Sequence, residues 1–112
     1  GVSLKGTIKL NRDFKYAYRR GTKYVSRSVV MHHYKNKTEE NKIGITVSTS
    51  LGCAVVRNRV KRYIREAFKD YKAKIRLGYN IVFVARTRCA YSDFWEIKTS
   101  VDECMENSGL IK

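Results

Sequence analysis

The sequence predicts an α+β fold of order αβββαβα, a two-layer sandwich with helices packed on a four-stranded sheet, in one domain spanning 1–112. Three observations point there. Tyr79 to Ala85 follows Gly78 as a near-continuous apolar run of the length of a buried central strand. Two segments, one inside Ala54 to Arg76 and one from Phe94 to Met105, repeat apolar residues at helical spacing. Earlier in the chain, β-branched and aromatic residues cluster in three short runs separated by polar turns.

Each element has a local reason. Asn11 is a suitable N-cap, and Phe14, Ala17 and Tyr18 share one helical face until Gly21 stops a short first helix. Tyr24 to Ser26, Val29 to Tyr34 and Ile43 to Val47 read as strands, the first two as a hairpin around Ser26-Arg27-Ser28. The polar stretch Lys35 to Asn41 separates the second strand from the third. Within Ala54 to Arg76, steps of about 100° place Val56, Val60, Tyr63, Ile64, Ala67, Phe68 and Tyr71 in an arc of about 140°. Arg57, Lys61, Arg62, Arg65, Lys69 and Lys72 occupy a second arc of similar width that includes Asn58, while Glu66 and Asp70 fall outside it. This is a long amphipathic helix with one cationic face. Asp93 and Glu96 make a capping-box-like start for the last helix, in which Phe94, Ile97, Val101, Cys104 and Met105 recur until Ser108-Gly109.

The chain carries 24 Lys and Arg against 10 Asp and Glu, a formal charge of +14, with 43% hydrophobic residues. Residues 1–35 hold nine basic and one acidic residue, and residues 54–76 nine basic and two acidic. Residues 36–53 balance, and 77–112 hold four basic against five acidic. The charge therefore lies in two blocks, as a polyanion partner requires. The longest uncharged stretch, Gly44 to Val56, is too short for a bilayer span of about 20 apolar residues, and the N-terminal residues lack the apolar block of a signal peptide. A cytoplasmic protein without a membrane partner is expected. Cys53, Cys89 and Cys104 have no C-x-x-C spacing and read as reduced thiols.

A self-contained enzyme is disfavoured. The acids are scattered without a D-x-D or D-x-E pair for divalent ions, and no metal ligand set is assigned. His32 and His33 are adjacent in a strand and point to opposite faces, so they cannot work as an acid and base pair. A nucleic-acid surface remains. Arg57, Arg62 and Arg65 supply planar forks suited to phosphates. In the first block Phe14, Tyr16, Tyr18, Tyr24 and Tyr34 interleave with Lys15, Arg19, Arg20, Lys23 and Arg27, a composition suited to unpaired nucleotides. The spacing of Phe14 and Tyr18 equally suits packing on the sheet, and pattern alone leaves the two roles open. A ribosomal or general RNA-binding protein would use the same cationic face, and a stand-alone nuclease would use His32 as base.

The run Gly52-Cys53-Ala54-Val55-Val56-Arg57-Asn58-Arg59-Val60-Lys61-Arg62-Tyr63-Ile64-Arg65-Glu66-Ala67-Phe68 closely resembles the signature of the bacterial ribonuclease P protein subunit family. Asn11-x-Asp13-Phe14, followed by Arg19-x-Gly21, resembles that family's first helix. The resemblance implies a left-handed crossover between the strands flanking the long helix. It implies a small subunit of a catalytic RNA that removes the 5′ leader of precursor tRNA by hydrolysing one phosphodiester. On this basis Arg57, Asn58, Arg59, Lys61, Arg62 and Arg65 bind the catalytic RNA, while Phe14, Lys15, Tyr18 and His32 bind the leader. The partners are ribonuclease P RNA and precursor tRNA, the free protein is a monomer or weak dimer, and Mg2+ at the RNA active site does the chemistry with no catalytic residue on the protein. The chain departs from the common pattern at Thr49 and Ser50, where many members carry lysines, at Cys53, where many carry Asn, and at His32, where many carry a cleft aromatic. Arg86 and Arg88, just past the last strand, are candidates for additional phosphate contacts, with a solvated loop as the alternative.

Overall fold

The computed structural model describes residues 4–7, 11–36, 39–71 and 73–111, with side chains from Lys15 onward. The strands β1 (Leu4–Thr7), β2 (Thr22–Val25), β3 (Val29–Lys35), β4 (Asn41–Thr46) and β5 (Tyr79–Ala85) form one mixed sheet in the order β1-β4-β5-β3-β2. The helices are α1 (Asn11–Arg20), α2 (Ala54–Lys69) and α3 (Phe94–Ser108), with 3-10 turns at Thr49–Leu51 and Thr87–Tyr91. The expected three helices and four strands are all present in the expected order. β1 is an addition that runs parallel to β4 and covers that edge of the sheet. Its sequence, Leu-Lys-Gly-Thr, carries little strand signal. β2 starts earlier than expected, at Thr22, because Thr22 to Val25 pair with His33 to Val30. Ser26 leaves the strand to close the turn, its N–H donating to the carbonyl of Val29 at 2.9 Å.

Alternation along β3 and β5 defines two faces. Val29 and Met31 with Ile81, Phe83 and Ala85 look one way, and Val30, His32 and Tyr34 with Asn80, Val82 and Val84 the other. On the first face lie α2, burying Val60, Ile64, Ala67 and Phe68, and α3, burying Ile97, Val101, Cys104 and Met105. The apolar arc expected of α2 is the buried one, and Phe68 meets Phe83 edge-on at 5.6 Å. α1 lies on the second face, where fully buried Ala17 packs on Val82 beside Tyr34 and Val84. The two expected layers are thus the sheet and α2 with α3, and α1 adds a partial third. Cover on both sides explains why β5 is apolar at nearly every position.

β4 and β5 are parallel neighbours joined through α2. The N–H groups of Asn36 and Arg86 donate to the carbonyls of Gly78 and Ser28, which marks the even-numbered residues of β5 as those bonded to β3. Odd-numbered Ile81 and Phe83 face α2. For L-residues this arrangement sets β4 to the right of β5 when the strands point upward and α2 faces the viewer. The chain therefore steps leftward from β4 to β5 through a helix in front. This is a left-handed crossover, the rarer hand and the one the resemblance implies.

The helix ends have distinct causes. A Cβ on Gly21 would stand 2.5 Å from the carbonyl oxygen of Ala17 and 3.0 Å from that of His33, so glycine is required where the end of α1 meets β3. Gly109, at φ 73°, ends α3 in the left-handed conformation. At the other end of α3, Oδ1 of Asp93 accepts from the N–H of Glu96 at 2.9 Å. All three cysteines are free thiols, with Cys89 and Cys104 buried and Cys53 exposed. Among the described residues no helix is long and apolar enough to cross a membrane.

Candidate nucleic-acid interface

The buried arc of α2 leaves its basic residues outward. Asn58, Arg62, Arg65 and Lys69 are exposed, and Arg57, Arg59 and Lys61 are half-buried; Lys72 lies outside the described residues. Nε of Arg57 donates to the carbonyl of Gly52 at 3.2 Å, and Nη2 of Arg59 to that of Ala90 at 3.0 Å. Each bond engages one donor of a five-donor fork and leaves others for an anion. The guanidinium of Arg62 lies 5.6 Å from the ring centre of Tyr63. Among the described residues, the ion pairs are those of Lys98 with Asp70 and Asp102 and of Arg88 with Glu96, so none of the α2 arginines is neutralised by a carboxylate.

The start of α2 is open. Cys53 occupies the N-cap position without a capping hydrogen bond. The N–H groups of Val56 and Val55 draw its thiol pKa down, with Arg57 adding a smaller effect. Thr49 and Ser50 lie exposed in the preceding 3-10 turn, where Ser48 Oγ accepts from the Ser50 N–H at 3.2 Å. They contribute polar groups there but no charge.

A second surface lies beside α1. The ring of Tyr18 meets His32 edge-on at 5.0 Å, and its hydroxyl lies 3.1 Å from Oγ1 of Thr46 on β4. Tyr18 is nonetheless 43% exposed. Packing and availability, left open by the sequence, therefore coexist in this residue. Beyond Tyr18 the same sheet face carries half-buried Val30 and Val84 and exposed Val25. Lys15 and Arg19 on α1 are exposed, as is Lys23, which pairs with His32 across β2 and β3. Phe14 belongs to α1, one turn before Tyr18, but its side chain lies outside the described residues. His32 is 8% exposed, and burial, with Lys23 second, lowers its pKa. A neutral imidazole offers this surface a ring and no positive charge.

On the other side of α1, Tyr16 meets Tyr34 at 4.7 Å, and the hydroxyl of Tyr34 accepts from Nδ2 of Asn80 at 2.7 Å. Oδ1 of Asn80 accepts in turn from Nδ2 of Asn36 at 2.8 Å. His33 faces the opposite layer, stacked 5.7 Å from Tyr24 and edge-on 6.0 Å from Tyr79. The two histidines are separated by the sheet, as strand alternation requires. Arg86 and Arg88 are exposed, and each makes one contact with its own chain. Nη1 of Arg86 donates to the carbonyl of Ser26 at 2.8 Å, and Nε of Arg88 lies 3.9 Å from Glu96.

Sequence reasoning passed over Thr46 as part of this surface and named Lys23 only among the basic residues of the first block. Counting alternate residues along β4 and β2 would have placed both on the face of His32. Among the described residues no three His, Cys, Asp or Glu side chains come together.

The profile of one protein family, Ribonuclease P, matches residues 4–109. The chain belongs to the ribonuclease P protein family. The ribonuclease P protein component of Clostridium kluyveri is 38% identical over 108 residues, which cover 94% of this chain and 96% of the relative. That of Caldanaerobacter subterraneus is 37% identical over 103 residues, covering 92% and 89%. The ribonuclease P protein of Staphylococcus aureus superposes with a TM-score of 0.86 at 34% identity over 95% of this chain and 97% of that one. The protein from Thermotoga maritima gives 0.79 at 28% identity over 90% and 96%. The α+β architecture described above is the ribonuclease P protein fold.

Proposed function

We propose that this chain serves as the protein component of a bacterial ribonuclease P, the ribonucleoprotein endonuclease that matures tRNA 5′ ends. In this reading α2 binds the catalytic RNA through Arg57, Asn58, Arg59, Lys61, Arg62 and Arg65. The groove beside α1 takes the single-stranded leader of precursor tRNA, with Tyr18, His32 and Phe14 as stacking surfaces and Lys15 near the phosphates. In this reading the magnesium that supplies the hydrolytic chemistry belongs to the RNA. The holoenzyme works in the cytoplasm, and the free protein is a monomer or weak dimer.

The observation that carries the reading is the row of arginines on α2 without carboxylate partners, in a chain of this family. The two surfaces lie on opposite faces of the sheet, so the protein can hold two RNA segments without one displacing the other. Arg57, Arg62 and Arg65 lie outside the core, so replacing all three with alanine should leave the fold intact, as an unchanged thermal melt checks. The triple variant should bind ribonuclease P RNA more weakly, and its log-log salt dependence should flatten by about 0.9 per lost phosphate contact on a duplex. An unchanged slope would remove α2 from the interface. Exposed Arg86 and Arg88 add phosphate contacts in this reading, through the donors that their own-chain contacts leave over, so alanine at either should also flatten the slope.

A further inference from the structure

Two large aromatic side chains stand in solvent on the α2 and α3 side of the molecule. Tyr91, at the end of a 3-10 turn, is 93% exposed, and Trp95, in the first turn of α3, is 68% exposed. They are fixed to the cationic helix from two directions. Trp95 lies 5.2 Å from Phe94, which meets Tyr63 edge-on at 5.8 Å beneath the guanidinium of Arg62. Arg59 donates to the carbonyl of Ala90, the residue before Tyr91. The charged side chains on the segments that carry and adjoin the two rings are Arg59 and Arg62, both without a carboxylate partner, Glu66 on the outer side of α2, the pair Arg88 and Glu96, exposed Asp93 between Tyr91 and Trp95, and Lys98, which pairs with Asp70 and Asp102.

Exposed flat rings linked through Phe94, Tyr63 and the Ala90 carbonyl to guanidinium groups without carboxylate partners suit a nucleobase and its neighbouring phosphates. They do not suit an apolar protein surface, against which those charges would be desolvated without compensation. We propose that Trp95 and Tyr91 form a stacking platform for unpaired nucleotides of the catalytic RNA, with Arg59 and Arg62 meeting the flanking phosphates. The platform rests on the reading of α2 as the surface that holds this RNA. It is continuous with α2 and lies on the opposite side of the sheet from the groove of α1, which assigns it to the catalytic RNA and not to the leader.

Trp95 is the only tryptophan in the chain, so its fluorescence reports on this place alone. Titration of the full chain with ribonuclease P RNA should give saturable quenching, and the same concentrations of precursor tRNA should not. Trp95→Ala should weaken binding to ribonuclease P RNA about 5- to 150-fold, the range for loss of one stacked base. Trp95→Phe should restore much of that loss, and neither variant should change the salt slope, because stacking releases no counterions. Because Trp95 lies outside the core, equal thermal melts of the variants verify that the fold is retained. Fluorescence that stays constant while filter retention shows the RNA bound, or equal affinity for Trp95→Ala, would overturn the platform and leave α2 in place. Equal quenching by precursor tRNA would overturn its assignment to the catalytic RNA. A chain with no affinity for ribonuclease P RNA would instead defeat the reading of α2, and the platform with it.

Discussion

The hydroxyl of Tyr18 on α1 lies 3.1 Å from Oγ1 of Thr46 on β4, which ties the first helix to the sheet. With His32 against its ring as well, the phenol is held in place before any nucleotide arrives, and little rotamer freedom is lost on stacking. Tyr18→Ala should cost about 1 to 3 kcal/mol in holoenzyme affinity for precursor tRNA and leave affinity for mature tRNA unchanged. Tyr18→Phe keeps the ring and should lose no more than about 1 kcal/mol. Equilibrium binding of the two RNAs measures both. Equal losses for precursor and mature tRNA would contradict a leader contact at this residue.

The buried histidines make stability depend on pH in a defined direction. Burial lowers the pKa of His33, and burial followed by Lys23 lowers that of His32. An unfolded histidine titrates near 6.5, so below that pH the unfolded chain takes up protons that the folded chain resists. Their contribution to stability is complete above that pH and is lost as the pH falls through it toward the lowered folded values. The urea midpoint should therefore decrease between about pH 7.5 and about pH 5.5. His33→Leu, which removes a ring whose nitrogens are both buried without partners, should flatten the decrease. A midpoint that rises over this interval would contradict the account.

The three thiols should separate by reactivity. Cys89 and Cys104 are buried and pushed up to about 11, chiefly by desolvation, whereas the exposed thiol of Cys53 is drawn down at the start of α2. Iodoacetamide on the native chain at neutral pH should add one group, at Cys53, as read by peptide mass mapping. Saturating ribonuclease P RNA should slow that addition if the start of α2 lies in the interface. Equal labelling rates with and without RNA would place Cys53 outside it.

Local physics made α2, β5 and α3 legible. The strand Tyr79–Ala85 lies where its apolar run predicts, the buried side of α2 is the computed arc, and Asp93 caps α3 as its spacing with Glu96 suggests. What escaped depends on tertiary partners. β1 exists by pairing with β4, and the limits of β2 follow from its register with β3. The pattern of Ala17 and Tyr18 says that α1 packs on something, but the face it covers is decided by the path of the whole chain. For the candidate site, the arginines of α2 were readable because their spacing alone sets one surface. The contacts of Tyr18 with Thr46 and His32 were not, because three elements distant in sequence meet there. The engagement of Arg86 with Ser26 was hidden for the same reason.

The central claim is that this chain completes a ribonucleoprotein whose RNA performs the cleavage. Reconstitution tests it most directly: ribonuclease P RNA at low magnesium, radiolabelled precursor tRNA, and this protein present or absent. The account predicts release of an intact 5′ leader and mature tRNA when RNA and protein are combined, and no cleavage by the protein alone. Cleavage by the protein without the RNA, or no stimulation of the RNA by the protein, would contradict it.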